Sequence, residues 1–438
     1  MSHPSRRILL VSNGHGEDLS GALLAAELQH LGQRLEALPL VGHGGPYRQA
    51  GIPVLGVTRE FSTGGLGYTS LRGRLRELRQ GQPLYLLGRI LTLLRQRRHY
   101  DLVVAIGDLV PVLAAWLARR QALVYLVAYS SHYEGRLRLP WPCGPLLRSR
   151  LFLGLWSRDA LTARDLSRQL RRPVRFLGNP FLDAVVPAVS SDPSGPSDPG
   201  SREGRPPCLG LLPGSRLPEA LGNLGLMLQM LALLPEPLQQ PGALRLLAAP
   251  VRSLEAGAIV ALAEPLGWRA VTSTPQAGGP PPSRRAAPPG DLPAPELLLQ
   301  RGSLQLELHW GCFTPVLQAS DLLLSMTGTA AEQAVGLAKP VLQLCGPGPQ
   351  FTSGFAEAQR RLLGPGVFCA AGAAALPDTL RATAQLAASL LARLSDAAAA
   401  ADWQRDLERL AGERIGAAGG SSRMATAIME LSEAGSLR

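Results

Sequence analysis

The sequence predicts an α/β fold built from two doubly wound, Rossmann-like domains. Three observations lead there. Short apolar runs alternate with helical patterns along most of the 438 residues, as a parallel sheet covered on both faces requires. Asp321 to Gln343 reads as one complete strand, tight turn, helix and strand. Pro187 to Pro207, rich in proline, serine and glycine, cannot form a packed core and divides the chain. The expected parts are a first domain over 1–186, a linker over 187–207, and a second domain over 208–375. The second domain carries a Pro/Gly/Ala-rich insertion near 273–295, and helices occupy 376–438.

Arg7 to Ser12 reads as the first strand. It runs into a glycine loop, Asn13-Gly14-His15-Gly16-Glu17-Asp18-Leu19-Ser20-Gly21, and a helix from about Gly21 to Leu31. The glycines do not match the dinucleotide fingerprint. Further strands are expected at 35–40, 53–57, 102–106, 123–128, 151–154 and 174–177. After the linker, Cys208 to Leu212 restarts the pattern, and Pro213-Gly214-Ser215-Arg216 turns into a helix reaching about Leu234. Strands follow at 244–248, 269–272, 304–309 and 366–369, and the chain is helical in pattern from Ala374, with a break at 416–422.

Within Asp321 to Gln343, Leu322 to Leu324 suit a strand buried on both sides, and Ser325 to Gly328 supply a turn of small residues. The helix from about Thr329 has apolar positions at Ala330, Ala334, Leu337 and Ala338, and it stops at Lys339-Pro340. Unpaired N–H groups at its positive end form a place for phosphate. Glu332, one turn in, suits a pair of sugar hydroxyls or a capping role.

The composition is globular, with 46% hydrophobic residues and a net charge of +11. The charge is uneven: residues 1–186 hold 25 arginines and 12 acids, and the remainder is slightly acidic. Such asymmetry points to an anionic partner for the first domain. From Ser70 to Tyr100, Arg72, Arg74, Arg76, Arg79, Arg89, Arg95, Arg97 and Arg98 are interleaved with leucines. This pattern fits either a helix lying on an anionic membrane or a surface helix with a solvated arginine face. With only Tyr85 and Tyr100 to stack on bases, nucleic acid is not expected.

Cys143, Cys208, Cys312, Cys345 and Cys369 stand singly in the sequence, which argues against a zinc site and against a disulfide framework. They are expected to be small core residues in a reducing cytoplasm. The apolar run Ile8 to Val11 is too short for a signal peptide. The longest apolar stretch, Leu102 to Leu117, contains Asp108 and Pro111, so no membrane span is expected.

Four stretches fall in the order of one family. They are Gly16-Glu17-Asp18-Leu19-Ser20-Gly21, Gly178-Asn179-Pro180-Phe181-Leu182-Asp183, Leu211-Leu212-Pro213-Gly214-Ser215-Arg216 with Glu219, and Thr327-Gly328-Thr329-Ala330-Ala331-Glu332 followed by Lys339-Pro340. The chain resembles the lipid-A-disaccharide synthases, within the GT-B glycosyltransferases, over most of its length. The resemblance implies two Rossmann-like domains facing a cleft. It also implies an inverting, metal-independent and cofactor-free transfer from a UDP-sugar of the UDP-GlcNAc type, acylated or not, to a lipid-linked sugar. On this basis Gly214, Ser215, Arg216, Thr327, Gly328 and Thr329 would hold the diphosphate, Glu332 the ribose, and Gln350 would line the sugar side. The acceptor-side loop would comprise Asn13, Gly14, Gly16, Glu17 and Asp18. The general base is expected to be Asp108, with His15 and His132 as alternatives, and each of the three also has a plain structural role open to it.

The first loop differs from the family pattern around His15-Gly16, the chain has two Pro-rich insertions, and Tyr129 to Trp141 has no clear counterpart. These departures leave room for a different glycolipid acceptor. A peripheral position on the inner face of a membrane is expected. Two rival readings are a sugar-nucleotide epimerase of the same fold and a non-catalytic nucleotide- or lipid-binding protein at a membrane surface.

Overall fold

The computed structural model describes residues 5–59, 81–135, 137–186, 205–271, 292–347, 352–370 and 375–436. The chain forms two compact units: Met1–Ala188 with Ile415–Arg438, and Val189–Arg414. The expected linker and the insertion near 273–295 fall mostly outside the described residues. So do Gln350, Arg72, Arg74, Arg76 and Arg79.

The first unit holds a five-stranded parallel sheet in the order β2-β1-β3-β4-β5. Its strands are β1 (Arg7–Ser12), β2 (Arg34–Pro39), β3 (Leu102–Ile106), β4 (Ala122–Leu126) and β5 (Phe152–Ser157). All residues of β3 and β4 are buried, so their runs of leucine, valine and isoleucine reflect cover on both faces. Two expected strands shrink to single bridges, Ala37 with Val54 and Trp156 with Arg175. Pro53 has no N–H to extend the first of these.

The helix after β1 spans His15–His30, so it begins six residues earlier than the glycines suggest. Gly16, Glu17 and Asp18 therefore lie in its first turn and not in a loop. Two acids there favour the positive end of a helix, which outweighs the poor helical propensity of glycine.

The helix Gln82–Gln96 departs from the expected arginine face at Arg89, whereas Arg95 is exposed. Arg89 points inward and is 4% exposed. Its guanidinium donates to the carbonyls of Pro39 at 2.9 Å and Leu55 at 2.6 Å. Those carbonyls end an edge strand and a turn, and a buried cation with several donors satisfies both. The same rotation turns Leu84 (76% exposed), Leu87 (53%) and Leu91 (41%) outward in one row.

The second unit holds an eight-stranded sheet in the order β13-β12-β11-β6-β7-β10-β9-β8. Its strands are β6 (Cys208–Leu212), β7 (Arg245–Ala248), β8 (Arg269–Val271), β9 (Leu297–Arg301), β10 (Leu304–Leu308), β11 (Leu322–Ser325), β12 (Val341–Gln343) and β13 (Val367–Cys369). Among the described strands, β9 is the one that runs against the direction of the rest, antiparallel to both β10 and β8. It was not expected from the sequence, although Gly302-Ser303 between two apolar runs is a two-residue hairpin signal. The helix expected from Arg216 begins at Glu219 and ends at Leu231.

The C-terminal helices, expected as one block over 376–438, divide between the units. Leu376–Ser395 and Ala397–Arg414 pack in the second. Gly420–Ser436 returns to the first, where Met424, Ala425, Ile428 and Met429 join the core beside Ile8, Leu10 and Leu24. Asp183 fastens it, because its carboxylate accepts from the N–H groups of Gly419 at 2.5 Å, Gly420 at 3.2 Å and Ser421 at 2.7 Å.

A side chain that satisfies three orphan donors at a helix start stabilises the fold. Asp183→Ala is expected to cost about 1–2 kcal/mol by the capping scale, read as a lower urea midpoint. An unchanged midpoint would show that water serves those donors equally well.

Candidate functional site

Both sheets reverse their strand order at one point. In the first, β1 leads outward to β2 while β3 lies on its other side. In the second, β6 leads to β7 while β11 lies on its other side. Loops leaving the carboxyl ends of two such strands diverge, which opens a crevice where ligands of doubly wound folds bind.

At the first crevice, Asn13 follows β1 and Asp108 follows β3. The Asn13 amide donates to Asp108 Oδ1 at 3.1 Å. The same oxygen caps the helix Leu109–Ala118 by accepting from Val110 N–H at 2.9 Å. Among the described residues, Asn13 provides the only side-chain donor to this carboxylate. Burial raises the Asp108 pKa above the ordinary aspartate value, against the lowering effect of those bonds. Tyr129, whose hydroxyl accepts from Leu109 N–H at 3.0 Å, packs beside it.

Glu17 enters the same crevice from the first helical turn. Gly14 has φ 137°, a conformation that strains any residue with a side chain, and a Cβ there would also lie 2.5 Å from Glu17 Oε2. Burial, together with the nearby Asp108 and Asp18 charges, pushes the Glu17 pKa up to about 7, while Arg158 partly offsets this. Asp18 lies deeper. Its carboxylate accepts from Ser12 Oγ at 2.6 Å, and Tyr47 OH donates to Ser12 Oγ at 3.1 Å. Burial raises the Asp18 pKa to about 7 as well.

The two histidines differ in setting. His15 is exposed at the helix start. His132 lies beyond β4, with Nε2 3.8 Å from the buried Asp159, which also accepts from Ser130 Oγ and caps the helix Ala160–Leu170. Asp108 is bonded to Asn13 in the loop that follows β1.

At the second crevice, Pro213-Gly214-Ser215-Arg216 follows β6, and Met326-Thr327-Gly328 follows β11. The loops touch: a Cβ at Gly214, where φ is +111°, would lie 3.9 Å from the Thr327 methyl group. Asn223 Nδ2 donates to Pro213 carbonyl at 2.8 Å and fixes the first loop from below. Ser325 and Thr327 hydroxyls share a 2.8 Å hydrogen bond. The helix Thr329–Gly336 starts there with no side-chain cap, so its first N–H groups are open to an anion. Arg216 is half-buried, and its guanidinium forms no hydrogen bond or ion pair with other described residues. Glu332 lies in the first turn of this helix and is 5% exposed. The structure thus brings Gly214, Ser215, Arg216, Thr327, Gly328, Thr329 and Glu332 onto one sheet edge.

No family model matches the chain, and no curated protein sequence matches it. Solved structures do. CalG4, the calicheamicin glycosyltransferase, superimposes with a TM-score of 0.54 at 17% identity, over 98% of this chain and 98% of its own. The fold is GT-B. A UDP co-structure of MnaA from S. aureus gives a TM-score of 0.51 at 14% identity, over 97% and 96% of the two chains. A putative UDP-N-acetylglucosamine 2-epimerase from Listeria monocytogenes gives 0.50 at 14% identity, over 98% of each. The GT-B architecture therefore accounts for nearly the whole chain and includes both glycosyltransferases and epimerases.

Residues that the sequence alone did not single out complete the first crevice: Ser12, Tyr47, Tyr129 and Arg158. Tyr47, Tyr129 and Arg158 act through partners at least 20 residues away, so no local motif marks them, and Ser12 reads only as the end of a strand. Arg158 does follow directly on the strand residue Ser157, which is the position where this fold class places functional groups.

Glu17 and Asp18 bind their protons more tightly folded than unfolded. Each therefore lowers stability as the pH rises from the ordinary carboxylate range through about 7. Glu17→Gln is expected to leave stability unchanged near pH 4 and to raise it by roughly 1–3 kcal/mol at pH 8. Urea unfolding at the two pH values reads this out, and a gain of equal size at both would mean that ionisation is not its cause.

Proposed function

We propose that the protein is an inverting glycosyltransferase that moves a sugar from a UDP-sugar to a lipid-linked sugar acceptor, in the manner of lipid-A-disaccharide synthases. The observation that carries the reading is the pairing of Gly214-Ser215-Arg216 with the uncapped helix start at Thr327 to Thr329. A diphosphate needs positive charge and several N–H donors in one place, and these two loops supply both. The sugar–phosphate bond weakens as charge develops on the departing UDP. Arg216 and the helix dipole stabilise that charge, so the step as proposed assigns no role to a metal ion. Glu332 holds the ribose.

Asp108 is the proposed base. It takes the proton of the acceptor hydroxyl, which attacks the anomeric carbon from the face opposite the leaving diphosphate. Burial raises its pKa above the ordinary aspartate value, which makes the carboxylate a stronger base. Asn13 orients the carboxylate, and Glu17 and Asp18 support the acceptor side.

We also propose that the acceptor arrives from an anionic membrane on the inner side of the cell. The outward row of Leu84, Leu87 and Leu91 leads to Arg95, Arg97 and Arg98 at the end of the same segment. Apolar insertion beside cations is how an interfacial helix holds an anionic bilayer. No helix among the described residues is long and apolar enough to cross a membrane.

Thermal melting with UDP, UDP-GlcNAc, GDP and ADP tests the donor. A ligand at ~100 times its Kd adds about 2.7 kcal/mol, enough to shift the Tm by several degrees. UDP compounds alone are expected to give that shift, and Arg216→Ala to weaken UDP at least about tenfold, the loss of a charge-assisted contact. Full UDP affinity in Arg216→Ala would remove the diphosphate from this loop. Conversion of UDP-GlcNAc to an epimerised nucleotide sugar without acceptor would replace the transferase reading by the epimerase one.

For the membrane, the protein is expected to sediment with vesicles containing anionic lipid at low salt. Combined Leu84→Ser, Leu87→Ser and Leu91→Ser substitution should largely abolish this. Retention of binding by the triple variant would point to another surface.

A further inference from the structure

The cysteines were expected to be isolated core residues, and Cys143 and Cys208 are buried as such. Cys345 and Cys369 are not. They are partly exposed, and their sulfurs lie 3.4 Å apart. The fold brings them together from 24 residues' separation, because β12 and β13 are parallel neighbours with Gln343 opposite Cys369. Cys369 ends β13, and Cys345 lies two residues beyond β12, so both occupy the carboxyl edge of the sheet that carries the diphosphate loops.

We propose that Cys345 and Cys369 form a redox-active dithiol, closed to an intramolecular disulfide by exchange with a low-molecular-weight disulfide, and that closure disturbs the neighbouring diphosphate loops. The second half of this proposal rests on the nucleotide reading above, whereas the first half does not. In the first step the Cys345 thiolate attacks one sulfur of the small disulfide. A mixed disulfide forms, and one small thiolate leaves and takes up a proton. In the second step Cys369 gives its proton to solvent, and its thiolate attacks Cys345 Sγ. The protein disulfide forms and the second small thiol departs. The protein loses two electrons, and the small disulfide gains them as two thiols.

Cys345 is the better attacking group, since a hydrogen bond from Cys369 lowers its pKa and raises that of Cys369. Closure must draw the sulfurs from 3.4 Å to a bond of about 2.05 Å. The segment that moves is wedged. A Cβ on Gly346 would lie 2.7 Å from Leu226 Cδ1 and 3.1 Å from Met326 Cε. Leu226 belongs to the helix that follows the Gly214 to Arg216 loop, and Met326 immediately precedes Thr327. Displacing residue 346 therefore pushes on Leu226 and Met326, and through them on the elements that carry the two loops.

The test uses the full chain incubated with oxidised glutathione, followed by thiol titration in denaturant and non-reducing peptide mapping. Two of the five thiols are expected to disappear, with a peptide joining Cys345 to Cys369 that dithiothreitol separates. A cross-link from either residue to Cys312, or stable mixed glutathione adducts without the cross-link, would overturn the dithiol. Cys345→Ser and Cys369→Ser should each prevent the paired loss.

UDP affinity is then compared between reduced and oxidised protein. Oxidation is expected to weaken UDP by about fivefold or more, at the low end of typical coupling between sites, and Cys345→Ser to be insensitive to the oxidant. Equal affinity in both forms would overturn the coupling. If neither form binds UDP while the cross-link forms, the nucleotide reading falls and the dithiol stands.

Discussion

Strands covered on both faces have no surface on which to carry polar chemistry. In this chain β3, β4 and β6 are buried at every residue, and a charged side chain within them would lose its hydration without a partner. Polar groups are therefore displaced to the strand ends, where backbone donors and helix starts also need partners. Asp108 illustrates the result: the carboxylate that caps a helix is also the one bonded across the crevice to Asn13. Capping and the proposed catalysis use the same group because both arise at the same place in a parallel sheet.

This constraint explains what was legible in the sequence. The strands that are buried on both sides were readable from their apolar runs, and the loops at their carboxyl ends from glycine, serine and threonine directly after them. The elements that depend on distant partners were not. The β9 strand is only half covered, and the helical start at His15 depends on the acids of its first turn more than on any apolar period. The side chains around Asp18, namely Ser12 and Tyr47, come from separate segments and meet only in the folded unit.

Arg89 shows a limit of amphipathic reasoning. An arginine in a leucine-rich helix reads as a solvent-facing residue, yet here edge carbonyls of the first unit provide a better environment than water for one guanidinium. Placing that one residue inside fixes the rotation of the whole helix and determines which leucines face out. The periodicity was present in the sequence, but the assignment of its inner and outer faces was decided by hydrogen bonding to Pro39 and Leu55.

The return of Gly420–Ser436 to the first unit affects how the protein is made. During synthesis the first 186 residues emerge early, but the part of this core that Met424, Ala425, Ile428 and Met429 complete stays open until the helix Gly420–Ser436 leaves the ribosome. The second unit, whose chain is continuous, can close before the first. For that interval an apolar face of the N-terminal sheet is open to chaperones and to misassembly, so the order of completion runs opposite to the order of translation.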